Sequence, residues 1–300
     1  MIALLAPGQG SQTPGMLAEW LTLPGAQATL DTWSGISGLD LARLGTTATA
    51  EEITDTAVTQ PLVVATTLLA YGELVKRGLS AQTVVAGHSV GEIAAYAIAG
   101  VISPDDAVKL AAVRGTEMAK ACAAEPTGMS AVLGGDEAEV LARLEALELV
   151  PANRNAAGQI VAAGAVSALE KLAEDPPAKA RVRQLATAGA FHTHYMASAL
   201  AGYAEAAAET TPADPTTTLL SNVDGKPVTS GTDAMEKLVA QLTRPVRWDL
   251  CTQTMRDLGI TAIVEFPPAG ALTGIAKREL RGVATHAVKT PADLDGLTEL

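Results

Sequence analysis

Short β-branched apolar runs alternate along the chain with longer stretches whose apolar residues recur at helical spacing, the pattern of strands wrapped by helices. Ile2-Ala3-Leu4-Leu5-Ala6 predicts a first buried strand. Residues 14–45 are helical only in patches, broken by Pro24, Gly35 and Gly38. After Thr59-Gln60-Pro61, the apolar segment 62–75 predicts a buried helix, Thr83-Val84-Val85-Ala86 a strand, and the alanine-rich 92–99, closed by Gly100, another helix. Ser103-Pro104-Asp105-Asp106 reads as a helix start, with a serine cap, proline at the first helical position and acids in the first turn; that helix should run to about Cys122. Ala107, Leu110, Ala111 and Met118 form its apolar stripe, and Arg114 lies on the same stripe.

Between Gly128 and Thr187 the texture changes. Strands at 129–133, 149–153, 159–163 and 182–186 and helices at 136–147 and 166–174 give the order βαββαβ, a ferredoxin-like unit. Pro126-Thr127-Gly128 and Ala188-Gly189 serve as hinges, so the expected division is a main domain of residues 1–126 and 188–300 carrying a small subdomain of residues 127–187, which forms one wall of a cleft. The remainder returns to the main domain, with strands at 219–222 and 262–265 and helices at 196–210, 233–242, 249–258 and 270–279.

Composition narrows the class. The 300 residues, 48% hydrophobic, suffice for one large domain or a domain with an insertion. A formal net charge of −12 speaks against nucleic acid as a partner, because binding phosphate backbones needs clustered Lys and Arg. No uninterrupted apolar run approaches the roughly 20 residues of a membrane span, and Met1-Ile2-Ala3-Leu4-Leu5-Ala6-Pro7 lacks the basic start of a leader. Cys122 and Cys251, without metal-ligand spacing, fit a reducing compartment. The expectation is a cytoplasmic protein off the membrane, and nothing demands more than a monomer.

The chemistry centres on Gly87-His88-Ser89-Val90-Gly91, set between a strand and a helix. A strand that turns at once into a helix strains its corner residue, and small flanking residues let the turn close. Ser89 at that corner stands at a helix N-terminus, where free N–H groups favour negative charge. This Gly-x-Ser-x-Gly elbow implies an α/β fold with an α/β-hydrolase-like main domain; a tight turn with a capping serine is the plainer alternative.

A serine needs a base, and the chain has four histidines. His88 adjoins Ser89 and should point across the elbow; His286 lies in a strand-like run and reads as structural. His192, in Ala190-Phe191-His192-Thr193-His194, sits where the insert rejoins the main domain and can face the cleft. His194 should be exposed or start a helix, and a His-x-His zinc site lacks further ligands in suitable spacing. Asp224 and Asp249 follow the histidine but neither is singled out as its orienting acid; a backbone carbonyl can do that work. The inward guanidinium of Arg114 cannot shed its charge and needs an anion: Glu117 or Glu92 within the fold, or an anion brought by the substrate. The elbow alone equally suits a serine hydrolase, or a non-catalytic module that keeps the fold.

Taken together, Pro7-Gly8-Gln9-Gly10-Ser11-Gln12, Thr59-Gln60-Pro61, the elbow with Glu92, Arg114-Gly115 with Met118, Ala190-Phe191-His192, Pro245-Val246-Arg247-Trp248 and Leu272-Thr273-Gly274 resemble, over nearly the whole chain, the bacterial, actinomycete-type malonyl-CoA:acyl carrier protein transacylases and the related acyltransferase domains of polyketide synthases. The resemblance implies transfer of malonyl from malonyl-CoA to the phosphopantetheine thiol of an acyl carrier protein, through a malonyl-serine intermediate, in fatty acid or polyketide synthesis and without a bound cofactor or metal. It further implies that Ser89 is acylated, that His192 is its base, that the backbone N–H groups of Gln9 and Val90 form the oxyanion hole, and that Arg114 holds the malonyl carboxylate. Gln60, Asn155 and His88 would help line the substrate pocket. Phe191 before the histidine goes with malonyl rather than methylmalonyl. A backbone carbonyl at Arg247, where many members carry Gln, would orient His192. Phe266-Pro267-Pro268-Ala269-Gly270 departs from the commoner Gly-Pro-Gly and implies an altered loop with little effect on chemistry.

Overall fold

The computed structural model describes residues 1–79 and 82–300. The chain opens with β1 (Ile2–Ala6), then α1 (Ala26–Ser37), α2 (Leu41–Thr46), the long α3 (Thr56–Lys76), β2 (Thr83–Gly87), α4 (Gly91–Ile98) and α5 (Pro104–Cys122). A second group follows: β3 (Thr127–Gly134), α6 (Glu137–Ala146), β4 (Val150–Ala156), β5 (Gln159–Ala165), α7 (Val166–Glu174) and β6 (Ala180–Gln184). The last third contains α8 (Leu200–Ala208), β7 (Thr218–Leu219), α9 (Gly231–Ala240), α10 (Trp248–Asp257), β8 (Ala262–Glu265), α11 (Ala271–Glu279) and β9 (Ala284–Ala287).

Five strands pair in parallel in the order β7-β2-β1-β8-β9. Their side chains alternate between two cores. Ile2, Leu4, Ala6, Val85 and Val264 pack on one face with α3, α4 and α5, while Ala3, Leu5, Val84, Ala86 and Ile263 pack on the other with α10 and α11. Both faces are thus covered, which explains why these strands read as continuous apolar runs. The carboxyl ends of the central pair β1 and β2 are where such a sheet presents its site.

The second sheet is antiparallel, in the order β4-β5-β3-β6, with a core of its own around Val132, Leu144, Ile160 and Leu172. It is tied to the rest of the chain by main-chain bonds: the Val246 N–H donates to the Ala152 carbonyl at 2.8 Å and the Arg154 N–H to the Val246 carbonyl at 2.9 Å.

Several elements differ from the sequence expectation. α3 starts at Thr56 rather than 62, because the Asp55 carboxylate caps it by accepting from the Ala57 N–H, and Pro61 is accommodated inside the helix. This puts Gln60 within the helix, with its side chain buried. Gly35 lies within α1; only Gly38, at φ 71°, ends it. The strand expected at 219–222 is regular only over Thr218–Leu219, and Asn222 beyond it bonds to the elbow. The helix expected at 196–210 begins as a 3-10 turn, His194–Ala199, and the altered loop 266–270 is closed by the Glu265 carboxylate, which accepts the N–H groups of Gly270, Leu272 and Thr273 at the start of α11.

Candidate active site

Three residues separate the end of β2 from the start of α4, and Ser89 is the middle one, at φ 54°. A left-handed serine is held there only by its surroundings. Gly87 and Gly91 leave no room for side chains: a Cβ on Gly87 would meet the backbone of Gly91, and one on Gly91 the carbonyls of Ala6 and Pro7. Asn222 fastens the turn, its amide donating to the Gly87 carbonyl at 2.7 Å while its oxygen accepts the Ser89 N–H at 2.9 Å.

His192 arrives from the connection between β6 and α8, also left-handed, at φ 60°, and only 2% exposed. Its Nε2 lies 2.7 Å from Ser89 Oγ and its Nδ1 2.8 Å from the Gln241 carbonyl oxygen. That carbonyl can only accept, so the ring proton sits on Nδ1 and Nε2 presents its lone pair to the serine hydroxyl. Burial first, and the charge of Arg114 second, push the imidazole down to about 3 against the opposing pull of the Gln241 carbonyl. The ring is therefore neutral at neutral pH.

The orienting carbonyl belongs to Gln241, not to Arg247. Arg247 donates its N–H to the Asn222 carbonyl, and its guanidinium pairs with Asp249 at 2.8 Å, so it is turned away from the histidine. Asp249 is occupied by that pair, and the Asp224 carboxylate accepts the Lys226 N–H. Among the described residues, no acid is bonded to His192.

Arg114 is 1% exposed on α5. Neither Glu117 nor Glu92 pairs with it. Its Nη1 donates to Gln60 Oε1 at 2.8 Å and its Nη2 to Gln241 Oε1 at 2.7 Å, while Nε has no partner among the described residues. Burial lowers the guanidinium to about 10, which leaves it charged at neutral pH. Among the described residues, two neutral amide oxygens are thus its only acceptors, and no carboxylate is hydrogen-bonded to it. Gln60, expected as a pocket-lining amide, instead backs Arg114 and donates to Gln9 Oε1 at 3.4 Å.

A cavity of about 180 Å³ is lined by Ser89, His192, Phe191, Gln9, Asn155 and His88, among others. It shares Gln9, His88 and Asn155 with a wider mouth of about 710 Å³ bordered by α11 and the second sheet. His88 does cross the elbow: its Nε2 lies 2.9 Å from Asn155 Oδ1, and burial lowers its basicity. Among the described residues, the backbone N–H groups of Gln9 and Val90 have no acceptor within the protein. His194 is exposed at the start of its 3-10 turn and His286 lies on β9, both away from this group.

Sequence reasoning missed Gln241 and Asn222 here, and gave Glu92 only as part of the elbow motif and as a candidate partner of Arg114. Gln241, Asn222 and Glu92 are all fully buried and bonded to one another or to the elbow. The available signal was Glu92, an acid directly after the elbow glycine in an otherwise apolar helix.

The profile of the acyl transferase domain family matches residues 4–292. The malonyl CoA-acyl carrier protein transacylase of Mycolicibacterium smegmatis is 78% identical over 95% of this chain and 100% of its own length. Among solved structures, that of MCAT from Mycobacterium tuberculosis superimposes with a TM-score of 0.98 at 73% identity, covering 99% of both chains. A malonyl-transacylase in complex with its holo type II PKS acyl-carrier protein gives 0.94 at 30% identity, again covering 99% of both.

Proposed function

The chain belongs to the acyl transferase domain family, and we propose that Ser89 and His192 carry its reaction while Arg114 selects the acyl group. The protein moves malonyl from malonyl-CoA to acyl carrier protein. The observation that carries the assignment of roles is the 2.7 Å approach of Ser89 Oγ to the Nε2 of a neutral His192 whose Nδ1 is anchored.

In the first half-reaction Ser89 Oγ attacks the thioester carbonyl carbon as its proton passes to His192 Nε2. The tetrahedral oxyanion is received by the Gln9 and Val90 N–H groups, each such donor being worth roughly 3 to 4 kcal/mol in comparable sites. Collapse breaks the carbon–sulfur bond, the coenzyme A thiolate takes the proton from His192, and malonyl remains as an ester on Ser89. In the second half the carrier's phosphopantetheine thiol gives its proton to His192, its sulfur attacks the ester carbonyl carbon, the bond from that carbon to Ser89 Oγ breaks, and the proton passes from His192 to the departing Oγ. No cofactor or metal enters either half.

Arg114 accounts for the choice of acyl group. Each terminal nitrogen gives one N–H to an amide oxygen, which leaves a second N–H on each, and the Nε–H, for a carboxylate. A charged guanidinium with no carboxylate bonded to it suits an acyl chain that brings its own, and argues against a general esterase. Holding the acyl group also gives the carrier thiol, rather than water, the productive line of attack.

The same reading takes residues 127–187 as a ferredoxin-like subdomain inserted in an α/β-hydrolase-like main domain of residues 1–126 and 188–300. Its support is the βαββαβ order and the separate core of the insert. It also takes the protein as a cytoplasmic monomer, in keeping with the free thiols of Cys122 and Cys251. α3 is long and apolar enough to cross a membrane, but most of it is buried inside the fold.

Intact-mass measurement after mixing with malonyl-CoA tests the roles directly. The expected result is a single malonyl adduct, absent in Ser89→Ala and discharged by holo acyl carrier protein. An adduct that survives Ser89→Ala would overturn the assignment.

A further inference from the structure

Glu92 is the second residue of α4 and is wholly buried, yet among the described residues its hydrogen-bond partners are uncharged. Its Oε1 accepts the Asn222 N–H at 2.7 Å, and its Oε2 accepts from Gln241 Nε2. Removing a carboxylate from water is costly, and two N–H donors repay only part of it. Neither bond touches the reacting atoms. Burial accordingly raises Glu92 to about 7 despite the attraction of Arg114 and Lys237.

The polarity of these bonds explains why an acid stands there. The Gln241 amide has one accepting end and one donating end, and flipping it interchanges them. Arg114 can only donate, so it requires Oε1; Glu92 in its ionised form can only accept, so it requires Nε2. The second demand enforces the first. The same Nε2 reaches the Ser89 carbonyl at 3.1 Å, and the same residue's backbone oxygen holds His192. One glutamine therefore links the guanidinium, the elbow and the base.

We propose that Glu92 is a positioning residue for acyl-group selection, acting at a distance through Gln241: it locks the glutamine amide with Oε1 toward Arg114, and so keeps the guanidinium oriented to receive the carboxylate of the malonyl group. The proposal rests on the role given to Arg114 above. With an uncharged amide at position 92, one donor of the pair Asn222 N–H and Gln241 Nε2 faces another donor. The Gln241 amide then relieves that conflict by turning over, which sets its NH₂ against Arg114.

The test compares Ser89 acylation by malonyl-CoA and by acetyl-CoA, which lacks the carboxylate, and reads the ratio of the two kcat/KM values. In Glu92→Gln the ratio falls about tenfold, the scale of one hydrogen bond to a charged group. Glu92→Asp, which keeps a carboxylate, recovers part of it. In the double variant with Arg114→Ala the ratio is no lower than in Arg114→Ala alone. A ratio left at the wild-type value, with both thioesters slowed together, would assign Glu92 to holding the elbow and overturn the proposal, as would a multiplicative loss in the double variant. Should Glu92→Gln fail to fold by circular dichroism, Gln241→Met is read the same way, since it removes the amide and keeps the backbone carbonyl. If Arg114→Ala itself leaves the ratio unchanged, it is the role of Arg114 that fails.

Discussion

The Gln241 carbonyl oxygen lies 2.8 Å from His192 Nδ1, and this single main-chain contact does the work that an aspartate does in a catalytic triad. A carbonyl orients the ring and selects its tautomer but adds no full negative charge to favour the imidazolium. Burial first, and the charge of Arg114 second, outweigh the pull of that carbonyl and leave His192 near 3 instead of its ordinary 6.5.

The pH consequence has a definite sign. Because the folded imidazole resists protonation, it contributes stability that is complete above about 6.5 and is lost as pH falls from there toward about 3. In an NMR titration of Ser89→Ala, the His192 ring signals should stay those of the Nδ1–H tautomer through the range of about pH 5 to 8 where free histidine titrates. A ring inflection near 6.5 would contradict this.

Arg114→Ala removes a buried charged donor and abolishes its two amide contacts. Loss of a two-point pair to a carboxylate, at about 1.5 to 3 kcal/mol for each charged hydrogen bond, should lower kcat/KM for malonyl-CoA by roughly a hundredfold or more. Acetyl-CoA, relieved of a buried charge beside its methyl group, should become the better substrate. Steady-state transfer to holo acyl carrier protein measures both; unchanged malonyl transfer would remove Arg114 from the site.

The parts legible in the sequence were those encoded locally. Glycines two residues either side of Ser89, a capped helix with Arg114 on its apolar stripe, and a histidine at the return of the insert each carry their meaning within a few positions. Gln241 carries none: at the end of α9 a glutamine is normally solvated, and its site partners lie 19 to 152 residues away in the chain. Placing the orienting carbonyl at Arg247 failed for the same reason, because the motif around Trp248 is conspicuous while the 3-10 turn Gln241–Thr243 just before it is not. The early start of α3 was hidden by Pro61, whose breaking tendency the Asp55 cap and complete burial overcome.

Phe191 lines the inner cavity together with Met129 and Val161, and it is itself nearly buried. An α-methyl group on the acyl chain must compete with its ring for that space. Phe191→Ser should therefore raise the ratio of methylmalonyl to malonyl labelling of Ser89 by about tenfold, the scale of one methyl group accommodated or refused. Competition between the two thioesters, read by intact mass, decides it; an unchanged ratio would show that the ring does not limit the acyl group.

The elbow glycines act through space rather than conformation, since the left-handed backbone belongs to Ser89, and neither Gly87 nor Gly91 has positive φ. Gly91→Ala would drive a Cβ against the carbonyls at the end of β1, and backbone there cannot yield without opening the central sheet. We expect a loss of about 3 kcal/mol or more. Gly35→Ala makes the opposite case, because it lies inside α1 with nothing within 4 Å of the added Cβ. There the substitution should stabilise by about 0.5 to 1 kcal/mol, through helix propensity and a less disordered unfolded chain. Denaturant melts of the two variants beside the wild type should bracket it on opposite sides; a Gly91→Ala midpoint at the wild-type value would mean that the close packing of elbow against β1 is not what keeps position 91 glycine.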